Sequence, residues 1–345
     1  MKQLYAAGAS LLCICGVGTT VGYAQDIHLS QFYEAPLLQN PALAGIFTGD
    51  YRVQAVYRNQ WGSVTVPYQT GALSGEARFP VKNSSDFITV ALQFTYDDAG
   101  TSHLHASEIM PCVNYHKSLS EDHSLYLSLG VMGGWVNRQL DPGKLTFDNQ
   151  YNPDNGGFDP NAPSGDNMSV YGYHYLDGAV GMSLSTSFGE NTHLFIGTSY
   201  YHLNKPKVSF YNNSAVLLQP KWEYHAGISS TIGDQYHFIG QFNQLVQGTY
   251  SETMIGGLAG IGLLKQGLES NMAVYVGGFL RWKDALIPVV KLDMGKYDLG
   301  LSYDINVSKL ATASHTIGGF EISLSWKGFF TSQNSSLNKV KCPKF

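Results

Sequence analysis

The sequence predicts an all-β protein: a transmembrane antiparallel β-barrel of about 14 strands, with an irregular N-terminal segment and a short C-terminal tail. Three observations predict this fold. The 345 residues are only 14% charged, against roughly a quarter in an average soluble domain, yet they include 38 glycines and 22 tyrosines. Short segments alternate apolar and polar residues with period two, as strands do. The longest later apolar run, Met254 to Leu264, is far shorter than the roughly 20 residues of a membrane-spanning helix.

The first 24 residues are predicted to be a cleaved export signal. Lys2 supplies the positive start, and the stretch from Leu4 to Val21 carries no charge. Gly22 and Ala24 place small residues at the two positions that a signal peptidase inspects. The mature chain would therefore begin at Gln25.

Two segments flank the predicted barrel, which covers residues 50–330. Residues 25–49 contain Pro36 and Pro41, which prevent a long helix, so we expect an irregular segment on the periplasmic side or a plug inside the barrel. Residues 331–345 form a polar, basic tail, which we expect to be a periplasmic appendage.

The alternation itself is shared by two folds, the soluble β-sandwich and the transmembrane barrel. In residues 320–326 an apolar face (Phe, Ile, Leu, Trp) opposes a face of Glu and Ser. Elsewhere the polar faces are mostly small and uncharged, whereas a soluble surface would be rich in Lys and Glu. Aromatic residues cluster near segment ends, as in the interfacial girdles of membrane barrels. The barrel is therefore favoured.

The predicted strands also fit the asymmetry of outer-membrane barrels. They lie near residues 50–58, 70–79, 87–97, 103–117, 123–138, 173–188, 192–202, 220–232, 235–247, 249–264, 271–282, 285–294, 296–304 and 315–329. With alternating directions, the long connections 139–172 and 203–219 fall at one end and the tight turns at the other. Long loops are extracellular in such barrels and short turns periplasmic, so both termini are predicted to face the periplasm.

The sequence offers little catalytic or metal-binding chemistry. His103 and His105 share one face of a predicted strand, but we expect no third ligand nearby, so no metal and no cofactor are predicted. Residues 148–166 are rich in Asp and Asn; a solvated loop is favoured, with Ca²⁺ binding left open. There is no Gly-x-Ser-x-Gly motif, and we expect no enzymatic activity. The net charge of -5 argues against a nucleic-acid partner.

Cysteines and charges leave alternatives open. Cys112 and Cys342, which remain after signal removal, form either one bridge or two separate thiols. A charge facing lipid at mid-depth costs about 2–4 kcal/mol, so the charges of the later strands are expected to face the lumen or the interfaces. Arg281 with Asp284, or Lys291 with Asp304, are the expected pairs. They form either a structural ion-pair lattice or a surface that grips a partner peptide.

Several motifs in order along the chain resemble the PorP/SprF family. They are Gln31-Phe32-Tyr33, residues 40–45 (Asn-Pro-Ala-Leu-Ala-Gly), residues 57–61 (Tyr-Arg-Asn-Gln-Trp), residues 281–288, residues 300–308 and residues 318–324. The match is weakest over 139–220. On these motifs the candidate partner or lumen residues are Asn40, Pro41, Arg58, Gln60, Trp61, Arg281, Asp284, Asp304 and Glu321.

The resemblance implies an outer-membrane component of type IX secretion and, in some relatives, of gliding motility. It implies support for export or surface anchoring of a cargo protein that bears a C-terminal sorting domain, and contact with periplasmic machinery at the peptidoglycan side. Besides the lipid bilayer, we expect cargo to meet the loops 139–172 and 203–219, and periplasmic partners to meet residues 25–49 and the tail. The alternatives are a transport channel for a hydrophobic or small solute, and an outer-membrane hydrolase.

Overall fold

The computed structural model describes residues 26–62, 66–152, 156–159, 161–166, 168, 170–189, 191–233, 235–263, 272–308 and 316–330. The predicted signal (1–24), the tail (331–345) and Cys342 lie outside this range, so cleavage and the Cys112–Cys342 bridge stay predictions. The barrel strands are β1 (Tyr51–Gln60), β2 (Tyr68–Pro80), β3 (Phe87–Ala99), β4 (Leu104–Ser118), β5 (Leu125–Gln139), β6 (Gly172–Phe188), β7 (Thr192–Tyr201), β8 (Lys221–Ile232), β9 (Tyr236–Gln247), β10 (Tyr250–Leu263), β11 (Met272–Arg281), β12 (Ala285–Asp293), β13 (Tyr297–Asn306) and β14 (Ile317–Gly328).

These strands form a closed barrel in sequence order. Each strand pairs antiparallel with the next, and β1 closes the barrel against β14 from Tyr51–Gly328 to Gln60–Gly319. The predicted count of fourteen is confirmed, and every predicted boundary lies within two residues of the observed one. No helix among the described residues is long and apolar enough to cross a membrane.

The two faces of the wall follow the sequence alternation. In β3 the side chains of Ile88, Val90 and Leu92 point outward and are 36–49% exposed, whereas Thr89 and Gln93 point inward and are buried. A soluble sandwich would hide the apolar face, so the outward apolar face matches a lipid-facing wall. The inward faces also carry buried charges, as expected for the later strands; those of Arg52, Glu76 and Arg78 in β1 and β2 were not expected.

The barrel has a loop end and a turn end. The connections 140–171 and 202–220 lie at the loop end, together with 100–103 and 282–284. The connections 81–86, 119–124, 189–191 and 294–296 lie at the turn end. The two longest connections share one end, as predicted, because successive antiparallel strands place alternate connections at opposite ends; short connections such as 282–284 occur at the loop end as well.

Residues 26–49, here called the lumen segment, lie inside the barrel. The segment is irregular, with single helical turns at Phe32–Glu34, Pro36–Gln39 and Pro41–Leu43. Short 3₁₀ turns (Pro142–Lys144, Asp148–Gln150) and a two-stranded hairpin (Tyr151–Asn152 with Gly157–Phe158) occur in the 140–171 loop. Leu37, Asn40, Ala42 and Ala44 in the lumen segment are completely inaccessible to solvent.

The lumen segment runs from the loop end to the turn end. Asp26 contacts His202 and Lys221 at the loop end. The backbone amide of Gly45 donates to Glu76 in the turn-end half of β2. The backbone amide of Asp50 then donates to the carbonyl oxygen of Gly328 at the turn end. The chain therefore passes through the whole lumen before it begins β1.

Candidate functional site: the polar network that holds the lumen segment

A buried charge cluster lies in the loop-end half of the lumen. Arg58 and Glu321 are directly paired across β1 and β14, and both point inward because of the strand alternation. Arg58 Nη1 lies 2.6 Å from Glu321 Oε1, and Arg58 Nη2 lies 2.9 Å from Asp304 Oδ2. Arg281 Nη1 donates to the same Asp304 oxygen at 3.2 Å. These four side chains are at most 3% exposed, and buried charges are tolerated only when they are paired in this way.

The cluster is built around the lumen segment. The two carboxylate oxygens of Glu321 accept the backbone amides of Ser30 and Gln31 at 2.6 and 2.7 Å. The hydroxyl of Ser30 donates to Asp304 at 2.6 Å and accepts from Arg58 at 2.7 Å. Arg281 also donates to this hydroxyl. The ion pairs therefore hold a peptide of the same chain, and this function of the cluster was not foreseen from the sequence.

Of the two expected ion pairs, one is confirmed and one is wrong. Arg281 Nη1 lies 3.1 Å from Asp284 Oδ2, as expected. Lys291 does not pair with Asp304; its Nζ lies 2.6 Å from Glu34 Oε1 in the lumen segment. Asp304 is near the loop end of β13, whereas Lys291 is near the turn end of β12, so the barrel height separates them.

Asn40 and Pro41 lie in the middle of the lumen, against β5, β6 and β7. The side-chain amide of Asn40 donates to the carbonyl oxygens of Met182 and Thr198, each at 3.1 Å, and its oxygen accepts the amide of Ala42 at 2.7 Å. Glycines in the wall leave room for this turn. A Cβ at Gly181 would lie 1.7 Å from Asn40 Oδ1, and a Cβ at Gly130 would lie 2.4 Å from the Pro41 carbonyl carbon.

Gln60 is the last residue of β1, at the loop end and at the edge of the charge cluster, and Trp61 follows it. Gln60 Oε1 accepts from Arg58 Nε at 3.1 Å, which fixes the guanidinium. The Trp61 backbone adopts a positive φ of 61° and donates its amide to Gly318 at 2.9 Å. Its ring packs against Tyr68 with the ring centroids 5.0 Å apart. Arg58, Gln60, Arg281, Asp304 and Glu321 thus lie in the loop-end cluster, and Asn40 and Pro41 form the turn in the middle of the lumen. Asp284, 43% exposed, joins the cluster from the connection after β11, whereas Trp61 contacts Gly318 and Tyr68 instead.

Sequence reasoning missed the contacts nearer the turn end. Glu76 accepts the Gly45 amide at 2.8 Å and pairs with Arg52 at 2.7 Å. Arg78 donates to carbonyl oxygens of the lumen segment. The guanidinium carbon of Arg52 lies over the Phe47 ring, 4.5 Å from the ring centroid. Arg52 and Arg58 occupy the same face of β1, so the period-two spacing was a usable signal for this inward charge.

A third anchor holds the start of the lumen segment at the loop end. His202 lies between two carboxylates, with Nε2 2.8 Å from Asp26 and Nδ1 2.6 Å from Asp177. Burial alone lowers the pKa of His202, but the carboxylates of Asp26 and Asp177 raise it to about 9. Burial raises the pKa of Asp26, but His202 and Lys221 hold it far below its usual range. The anchor is therefore a charged pair at neutral pH.

Below the lumen segment, the turn end opens into a cavity of about 570 Å³. Its walls carry charges of both signs, from Glu34, Arg52, Lys291, Asp298 and Lys327. Tyr33, Glu34 and Phe47 of the lumen segment line the same cavity. Part of its wall is apolar: Leu258, Ala273, Tyr275 and Phe279 line it and belong to one packed cluster.

The fold and the buried network define an outer-membrane β-barrel with an internal segment in its lumen. Residues 21–326 match the family of type IX secretion system membrane proteins PorP/SprF, and the chain belongs to this family. A comparison with curated proteins finds no match. The resemblance in the sequence motifs is thus confirmed.

Among solved structures, the chain is similar in fold to other outer-membrane barrels. The toluene transporter TbuX of Ralstonia pickettii aligns with a TM-score of 0.49 at 10% identity, covering 86% of this chain and 94% of TbuX. A Pseudomonas aeruginosa FadL homologue aligns with a TM-score of 0.47 at 7% identity, covering 84% and 92%. The monoaromatic hydrocarbon channel CymD aligns with a TM-score of 0.44 at 13% identity, covering 90% and 95%. At these values the likeness concerns the barrel alone.

Proposed function

We propose that this barrel is a non-enzymatic component of type IX secretion that supports export or surface anchoring of cargo bearing a C-terminal sorting domain, including adhesin-type cargo of gliding cells. The observation that carries the proposal is the occupied lumen. Four groups of buried ion pairs hold the lumen segment, at Asp26, at Ser30, at Glu34 and at Gly45. A barrel filled in this way acts through its two ends rather than as an open pore.

The loop end is the cargo side in this proposal. The 140–171 loop presents Tyr151 and Phe158 as a pair on its small hairpin, 59% and 49% exposed. Tyr211, in the other long loop, is 53% exposed and donates to Asp166 at 2.9 Å, which links the two loops. Exposed aromatic side chains on linked loops are typical of protein-binding surfaces.

The turn end is the side proposed for periplasmic machinery. The lumen segment is buried inside the barrel, so it offers these partners little surface. The described turn end instead presents two surfaces to such partners. They are the short turns and the mouth of the charged cavity, near Asp293 and Lys327. We therefore propose that periplasmic partners contact these turns, together with the tail (331–345), rather than the buried residues 26–49.

The proposal is tested by affinity purification of the barrel from gently solubilised outer membranes, with mass spectrometry and cross-linking. We expect a secreted protein with a C-terminal sorting domain, cross-linked to residues 140–171 or 202–220. The double variant Tyr151→Ser with Phe158→Ser should recover several-fold less of this cargo. Trp282→Ser, which removes a 61% exposed aromatic residue from a different loop-end connection, serves as the matched control.

The transport alternative has a different result in the same experiment. A barrel that purifies without cargo, with a solute bound in the cavity, would overturn the secretion proposal and favour a channel.

A further inference from the structure

The hairpin between β3 and β4 brings together two imidazoles and a carboxylate. Asp98 is directly paired with His105 across the two strands, and the turn Gly100–His103 joins them. The sequence placed His103 on the face of a strand, but the structure places it in the turn, with a positive φ of 45°. Its ring contacts Asp98 of β3. The third ligand is Asp98, which precedes His103 by five residues and which the strand pairing places beside His105.

The three side chains converge on one point. Nδ1 of His103 lies 3.1 Å from Asp98 Oδ2, and Nδ1 of His105 lies 3.5 Å from Asp98 Oδ1. All three ligand atoms lie within 4.8 Å of one another. Zinc binds imidazole nitrogen and carboxylate oxygen at about 2.0–2.2 Å in a tetrahedral arrangement, so two ligand atoms of one ion lie roughly 3.4 Å apart, close to the two nitrogen–oxygen distances here.

The surroundings leave space for an ion and for water. Both imidazoles are 36% exposed and Asp98 is 22% exposed, at the loop end of the barrel. The Tyr96 hydroxyl lies 2.9 Å from Nδ1 of His105, where it orients the ring and would yield its hydrogen bond to an ion. The His202 anchor differs in this respect, because its two carboxylates contact opposite ring nitrogens and cannot share one ion with the imidazole.

We propose that Asp98, His103 and His105 bind one divalent transition-metal ion of the Zn²⁺ class, with water completing the coordination. Two nitrogen ligands and a single carboxylate favour zinc, copper or nickel over calcium and magnesium, which prefer sites made of oxygen ligands. This site is separate from the lumen network and does not depend on the proposed function.

The test is a calorimetric titration of the chelator-treated, full-length barrel in detergent with Zn²⁺. We expect one ion per chain in the wild type. Changes to groups outside the ligand shell alone alter metal affinity by about 10–100-fold, so His103→Gln, His105→Gln and Asp98→Asn should each weaken binding at least this much. Heat-modifiable migration on gels checks that each variant keeps a folded barrel.

His123→Gln is the matched control. His123 also lies in a hairpin turn with a positive φ, 57°, but at the turn end, where its ring contacts the Ser85 hydroxyl at 3.0 Å instead of a carboxylate. This variant should bind Zn²⁺ as the wild type does. In addition, Cu²⁺ bound to the wild type should show two nitrogen ligands by electron paramagnetic resonance. A wild type that binds no ion, or a folded His105→Gln that binds with unchanged affinity, overturns the proposal.

Discussion

At the scale of single residues, Glu321 connects the barrel wall to the lumen segment more directly than its neighbours. One oxygen accepts from Arg58 and from the Ser30 amide, and the other accepts from the Gln31 amide. The charge is thus shared between a guanidinium and two backbone donors in a site that is 1% exposed. Removing the charge would leave Arg58 partly unpaired in a buried position.

We therefore expect Glu321→Gln to lower the free energy of unfolding by about 3–5 kcal/mol, the usual cost of breaking a buried ion pair. Chemical denaturation of the barrel in lipid vesicles measures this loss. The control is Lys117→Gln, which breaks a pair with Asp86 at 2.9 Å; Lys117 is 54% exposed, and the buried Asp86 keeps hydrogen bonds from Tyr115 and Ser118. A pair whose cation is exposed contributes about 0.2–1 kcal/mol, so equal losses in the two variants would contradict the assignment of Glu321 as an anchor.

The residue scale also shows what the sequence could not predict. Alternation places Arg58, Asp304 and Glu321 on inward faces, and the family motifs identified them as candidates. It does not say what the inward face meets. Glu34 and Lys291 are separated by 257 residues in the sequence, and only the closed barrel with its inserted segment brings them to 2.6 Å.

At the scale of elements, the lumen segment packs against barrel strands whose glycines leave room for it. The strands were predictable because each carries its own period-two pattern over nine to seventeen residues. The path of the lumen segment was not, because it has no periodic pattern and is fixed by contacts with strands across the barrel. Its motif Asn40-Pro41 was visible in the sequence, but the wall glycines that accommodate it lie far away in the chain.

Gly130→Ala tests this fit. The new Cβ would lie 2.4 Å from the Pro41 carbonyl carbon and 2.5 Å from the Ala42 nitrogen, so backbone must move. We expect a loss of about 1–3 kcal/mol in the free energy of unfolding, as for other overpacked cores. Amide hydrogen exchange of residues 40–45 should become faster at the same time.

Gly75→Ala is the control for this change. Gly75 is also a strand glycine of the barrel, in β2, but nothing lies within 4 Å of its added Cβ. Both variants alter strand propensity alike, and only Gly130→Ala disturbs the lumen segment. Indistinguishable stability and exchange in the two variants would show that the wall glycines do not position Asn40-Pro41.

At the scale of the whole molecule, the lumen segment changes the predicted topology of the chain. The sequence placed both termini on the periplasmic side, because the barrel has an even number of strands. The lumen segment crosses the barrel once more, so that β1 begins at the turn end while Asp26 lies at the loop end, beside His202 and Lys221. If long loops face the cell exterior, as in other outer-membrane barrels, residue 26 faces it too.

We therefore expect a short epitope inserted between Gln25 and Asp26 to be accessible to antibody on intact cells. The matched control carries the same epitope between Glu121 and Asp122, in an exposed connection at the turn end, and should react only after permeabilisation. Heat-modifiable migration confirms that both tagged chains have assembled. An epitope before Asp26 that stays hidden in intact cells would place this end in the periplasm. The anchor of Asp26 to His202 would then have to open in the membrane, because that anchor and the turn end lie at opposite ends of the lumen.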